Sequence, residues 1–194
     1  MKNINKKELK ISIENSYKAK LSLCQSISQI NKVIKILKNC ISRKGKIFFC
    51  GNGGSAADAQ HLTAELLVRL RPKINRRALP AICLSMDTST LTACSNDYSF
   101  DEVFSRPFEA LCNKNDTLIV LSTSGNSKNI IKILKVAKKR KINSIAFLGF
   151  TGGNAKKLST LPIIIKSNNV ARVQEAHIFL GHFILESLEN LILK

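Results

Sequence analysis

Residues 46–65 read KIFFCGNGGSAADAQHLTAE. The opening KIFFC is an apolar run of strand length, and Gly51, Gly53 and Gly54 then allow backbone angles that a Cβ would forbid. A helix follows at once, with Ser55 as its expected N-cap. Free backbone N–H groups and the positive end of the helix dipole meet at this turn, which makes it an anion site. His61 and Glu65 lie one turn apart on one face of the same helix, placed to share a metal ion or a substrate.

Outward from this unit, apolar runs alternate with helical patterns. Strands are expected at 46–50, 80–84, 117–121, 143–148 and 162–165, and helices at 55–69, 88–95 and 127–140. A short turn or helix is expected near 153–158, and 101–111 reads as partly helical. Runs such as LIVL and PIII are continuous rather than alternating, so the strands are covered on both faces. The pattern is a βαβ series with a parallel sheet. Before it, Leu23, Ile27, Ile30, Ile34, Leu37 and Ile41 form a heptad seam on a helix expected over 6–43, stopped by Gly45. That seam suits packing within the subunit and against a neighbouring one equally. A last helix over about 170–193 carries Val173, Ala176, Leu180, Ile184, Leu188 and Leu191 on one side. The basic stretch RPKINRR, 71–77, reads as an exposed connection. A chain of 194 residues with 44% hydrophobic content suits a single domain over 1–194, with 1–44 as an N-terminal helical segment.

The net charge of +18 raises the question of nucleic acid. Its distribution argues against one, because the lysines are spread along the chain without aromatic stacking residues, zinc-finger spacing or an RNP-like run. The densest basic run, KKRK at 138–141, ends a helix where cations suit the dipole. Basicity still helps to attract a phosphorylated substrate. Six cysteines without a close pair read as small core residues of a reducing compartment. No apolar stretch reaches 18 residues and the N-terminus lacks a signal-like core, so a cytoplasmic protein with no membrane partner is expected.

Ligands of a parallel α/β sheet bind beyond the carboxyl ends of its strands. Three such junctions share one character: GNGGS after Cys50, STSGNS after Leu121, and FTGG after Gly149. Ser122, Thr123, Ser124 and Ser127 bring four hydroxyls to a helix start, which surrounds a phosphate with neutral donors. The first loop also matches the dinucleotide pattern G-x-G-x-x-A, but no Asp or Glu stands between Glu65 and Asp87 to hold a ribose. A Walker lysine is missing too, so the loops read as a sugar-phosphate pocket. On the last helix Gln174, Glu175, His177 and His182 are candidates to complete the site. Glu175 is only about 20° out of line with His182 and Gln174 about 80°, so pattern alone leaves the choice open.

These motifs resemble one family, the bacterial phosphoheptose isomerases of the sugar isomerase (SIS) domain superfamily. CGNGGSAADAQHLTAEL is the most specific part, joined by TLTACSNDYSFDEVFSRPFEAL at 90–111, STSGNS and ARVQEAHIFLGH. The resemblance implies a three-layer α/β sandwich with a central five-stranded parallel sheet, flavodoxin-like, behind a long N-terminal helix. It also implies a homotetramer with one Zn2+ per subunit, held by His61, Glu65, Gln174 and His182. Asn52, Gly53, Gly54, Ser55, Glu65, Asn96, Asp97, Ser122, Thr123, Ser124, Ser127 and Gln174 would contact substrate. Glu65 and His182 would be catalytic, interconverting sedoheptulose 7-phosphate and D-glycero-D-manno-heptose 7-phosphate for lipopolysaccharide heptose. Two departures stand out: Ser95 where the family usually has Gly or Ala, and Asn169-Val170 in place of Asp-Thr. The alternatives are a non-catalytic SIS-domain regulator that binds a sugar phosphate, and an isomerase of another phosphosugar.

Overall fold

The computed structural model describes residues 5–193. Five strands, β1 (Ile47–Gly51), β2 (Ala81–Cys83), β3 (Thr117–Ser122), β4 (Asn143–Leu148) and β5 (Leu161–Ile164), form one sheet in the order β2-β1-β3-β4-β5. Every pairing is parallel. The chain leaves β1 toward β2 and returns to β3 on the other side, so the switch point of this flavodoxin-like order lies between the carboxyl ends of β1 and β3. The register brings those ends level, pairing Gly51 with Leu121 and Ser122 with Leu148. Pro162 is tolerated because β5 is an edge strand.

Alternate strand residues feed two separate cores, which is why the strand sequences are apolar without interruption. Ile47, Phe49, Ile119, Leu121, Ile145 and Phe147 face one side. Phe48, Cys50, Leu118, Val120, Ala146 and Leu148 face the other. The first face is covered by α1 (Lys6–Leu21), α2 (Ile27–Ser42), α3 (Gly54–Leu67) and α8 (Val170–Ile192). The second is covered by α4 (Thr88–Asp97), α5 (Ser105–Leu111), α6 (Lys128–Lys139) and α7 (Ala155–Leu158). A three-layer sandwich results.

The N-terminal helix expected over 6–43 is a helical run with a tightened 3-10 segment at Ser22–Ser26. Ser22 donates its hydroxyl back to the Ala19 carbonyl at 2.7 Å and accepts from the Lys166 backbone N–H at 3.2 Å. The tighter winding shifts the helix phase. Ile27 therefore leaves the seam and is exposed, whereas Leu23, Ile30, Ile34, Leu37 and Ile41 are buried together with Val33 and Cys40. This half of the seam packs inside the subunit, and the outer face of α1 keeps Leu9, Ile11, Ile13 and Tyr17 exposed. On α8, Val173, Ala176, Leu180, Ile184 and Leu188 are buried as expected, but Leu191 is exposed. Asn169 caps α8, accepting from the Arg172 N–H at 3.2 Å, so this departure from the Asp-Thr pattern preserves the cap.

Candidate functional site

The glycine turn begins its helix one position earlier than expected. Gly53, at φ +58, is the N-cap of α3, and Ser55 lies buried within the first turn. This corrects the reading of Ser55 as the cap: a backbone angle open to glycine takes over the role of a capping hydroxyl, and no side chain makes a capping hydrogen bond at the helix start. Beside it, Asn52 and the buried Asn129 exchange two amide hydrogen bonds, both 2.9 Å, which tie the β1 loop to the first turn of α6 across the switch point. The Ser85 hydroxyl donates to the Gly51 carbonyl at 3.0 Å and fixes the end of β2 to the same turn.

The serine loop after β3 divides its hydroxyls between structure and solvent. Ser122 Oγ accepts from the Gly125 N–H at 3.1 Å and Ser124 Oγ from the Asn126 N–H at 3.2 Å, local bonds that shape the turn. Ser127 stands at the N-cap position of α6 without a side-chain capping bond, which leaves that helix end open to an anion. Gly125, at φ +65, lies under the 149–153 loop, and a Cβ there would come within 2.1 Å of the Gly152 carbonyl oxygen. The three strand-end loops thus pack as one surface. Asn96 donates to the Asp97 carboxylate at 2.9 Å at the exposed end of α4.

His61 and Glu65 meet as their spacing requires, Nε2 to Oε1 at 3.3 Å. His182 comes from α8, 121 residues away, and places its Nε2 2.8 Å from that of His61. The three donor atoms lie within 4.8 Å of one another. Burial, and then the neighbouring His61, push the His182 imidazole below its ordinary range, with Glu65 and Glu186 acting the other way. Side chains on a helix lean toward its N-terminus, so all three lean toward the glycine-turn end of the α3–α8 seam. Gln174 occupies that end, and a Cβ built on Gly54 would stand 2.7 Å from its amide nitrogen and 2.8 Å from its oxygen. Glu175 turns away and pairs with Arg172 at 2.6 Å. His177 is fully buried under the sheet beside Phe147.

Three features escaped the sequence reading. Asn129 is one; its only signal is a polar residue at a buried position of the amphipathic α6. Asp58 shares the face of His61 and Glu65, and burial raises its carboxyl to about 6 against a smaller opposing effect of His61. Its Oδ2 is buried without a hydrogen-bond partner among the described residues. The third is Arg76: the 71–77 connection is exposed at Pro72, Lys73, Asn75 and Arg77 as expected, but the Arg76 side chain is buried against Glu189, which Arg71 also contacts.

Residues 16–149 match the model of the SIS domain family. A phosphoheptose isomerase of Clostridium acetobutylicum is 44% identical over 190 residues, 98% of this chain and 95% of that protein. One of Chlorobaculum parvum is 52% identical over 149 residues, 76% of this chain and 71% of its own length. The structure of a phosphoheptose isomerase from Neisseria gonorrhoeae superposes with a TM-score of 0.88 at 35% identity, covering 95% of this chain and 98% of that one. With its parallel sheet, its paired strand-end loops and these relatives along nearly its whole length, the chain belongs to the phosphoheptose isomerases of the SIS domain family.

Proposed function

We propose that this chain, an aldose-ketose isomerase acting on a sugar phosphate, converts sedoheptulose 7-phosphate to D-glycero-D-manno-heptose 7-phosphate by proton transfer through an enediol. The observation that carries this reading is the convergence of His61, Glu65 and His182 on a seam whose other end is the glycine turn. A heptose 7-phosphate has its phosphate at one terminus and its reacting carbons at the other, which suits a site with anion loops at one end and proton-transfer groups at the other. Ser122, Thr123, Ser124, Ser127 and the open start of α6 hold the phosphate. Asn52, Gly53, Gly54, Ser55, Asn96, Asp97 and Gln174 line the sugar.

Two imidazole nitrogens, a carboxylate and a side-chain amide form a donor set that fits Zn2+. We propose one such ion per subunit, held by His61, Glu65, Gln174 and His182. When bound it polarises the substrate oxygen and stabilises developing negative charge. Glu65 takes the proton from one carbon and returns it to the next. Its Oε1 is the oxygen turned toward His61, which leaves Oε2 for the carbon acid. His182 would move the proton between the two oxygens at a stage when its Nε2 is free of the ion, since one ring nitrogen cannot hold a metal and a proton together.

We further propose a homotetramer. Tyr17, Leu21, Leu23, Ile27, Phe179 and Phe183 line an almost wholly apolar groove of about 400 Å3 on the face where α1 meets α8. Phe179 and Phe183 flank His182 on α8, so a second copy seated there would also close the site from water. No helix among the described residues is long and apolar enough to cross a membrane, and we place the enzyme in the cytoplasm, with its product directed to lipopolysaccharide heptose.

Glu65→Gln tests the assignment. Turnover is expected to fall by about 10²–10⁴-fold, the range for losing a general base, with sugar-phosphate binding largely kept. Wild-type rates in this variant would remove Glu65 from the mechanism.

A further inference from the structure

The far end of the α3–α8 seam carries an ionic cluster that the proposed chemistry does not use. Glu189 is 1% exposed, and both of its oxygens are engaged: Oε1 accepts from Arg76 Nε at 2.6 Å and Oε2 from Arg71 Nε at 2.9 Å. Arg76, whose side chain is 2% exposed, has a second set of contacts. Its Nη2 donates to the Glu65 carbonyl at 2.6 Å and its Nη1 to the Leu66 carbonyl at 3.0 Å. These carbonyls belong to the last turn of α3, where backbone acceptors lack intrahelical donors and a cation suits the dipole. Arg76 is therefore the C-terminal cap of the helix that bears His61 and Glu65. Its counterion, Glu189, sits seven residues beyond His182 on nearly the same face of α8.

From these contacts we propose that Arg76 and Glu189 are positioning residues that set the spacing and rotation of α3 against α8, and so hold Glu65 and His182 at the separation their shared site requires. The seam is also fixed at the level of the trio, where Gly181, next to His182, lets α8 approach Leu62 so closely that an added Cβ would stand 2.5 Å from its side chain. Between those two points α3 can neither slide nor turn without breaking a buried ion pair. Stability alone is a poor reason for such a cluster, since buried ion pairs are often matched or exceeded by apolar residues of similar volume. Burial by itself would raise the Glu189 carboxyl, and the two guanidiniums outweigh it and hold the group below the usual carboxylate range.

The inference rests on the proposed isomerase and metal site, and the test separates the two. Arg76→Lys keeps a charge opposite Glu189 but loses the planar fork that reaches both partners. Glu189→Gln keeps the shape and loses the charge. In the full chain, Co2+ affinity is measured by competition with a chelating dye below the unfolding transition, alongside kcat and KM for sedoheptulose 7-phosphate. Both variants are expected to bind Co2+ about 10–100-fold more weakly, the usual cost of losing an outer partner of a metal ligand. KM is expected to change little, because the phosphate loops lie at the other end of the seam. Glu189→Asp keeps both ion pairs and shortens the clamp; it is expected to fold and still weaken Co2+ binding, which covers failure of the other two to fold. A lowered melting temperature with unchanged Co2+ affinity and kcat in folded variants would overturn the proposal. A wild-type chain that binds Co2+ but turns over no sugar would instead count against the isomerase reading and leave the Co2+ measurements to decide the clamp.

Discussion

At Gly54 a single methyl group would collide with the amide of Gln174, although the helical backbone itself would accept alanine. Gly54→Ala is therefore expected to push Gln174 out of the site with little change in melting temperature. The sugar-phosphate KM should rise by about an order of magnitude, and an unchanged KM would show that Gln174 does not touch the sugar. Asn129→Ala acts differently, because it strands the buried face of Asn52 and costs about 1–3 kcal/mol of stability, measurable by urea unfolding. His177 gives the fold a pH dependence unrelated to catalysis. Burial lowers its imidazole from 6.5 to about 4, and the Leu148 backbone offsets this only in part. The unfolded chain then binds the extra proton between those two values, so stability is complete above about 6.5 and falls as pH drops toward 4. The difference in unfolding free energy between wild type and His177→Met should rise by about 3 kcal/mol from pH 4 to pH 7. A flat difference would mean that the imidazole takes up its proton in the fold at the same pH as in the unfolded chain.

At the scale of elements, legibility followed the physical range of each interaction. Strand β4 stands at the expected 143–148, and α3 and α8 start and stop within two residues of expectation, because burial on both sheet faces and helical periodicity are local patterns. The meeting of His61 with Glu65 is local as well. What sequence pattern could not place is long-range: the register that sets His182 against His61, the amide pair joining Asn52 to Asn129, and the Arg76 fork. RPKINRR looked like a solvated connection because lysine and arginine usually are. Its Arg76 is buried only because Glu189 arrives from 113 residues away. The seam on the first helix failed at Ile27 for a local reason that composition hides, a serine hydroxyl turned back onto its own helix.

The whole molecule presents an uneven surface. Leu9, Ile13, Tyr17, Ile27, Phe179 and Phe183 are all exposed along α1, the start of α2 and α8, whereas in the opposite layer the amphipathic α6 turns Lys128, Lys135, Lys138 and Lys139 outward. Phe183→Glu is expected to yield species smaller than a tetramer in solution scattering and to lose activity in proportion. A wild-type monomer would contradict the proposed assembly. On the proposed function, anion loops at the strand ends and a His-Glu-His trio on the α3–α8 seam together make a metal-assisted heptose phosphate isomerase. Its most direct test is to incubate the metal-replete wild-type chain with sedoheptulose 7-phosphate and follow the sugar by NMR. The aldose 7-phosphate is expected, at a rate that collapses when a chelator strips the metal and recovers when Zn2+ is returned. Folded, metal-replete protein that forms no aldose would contradict it.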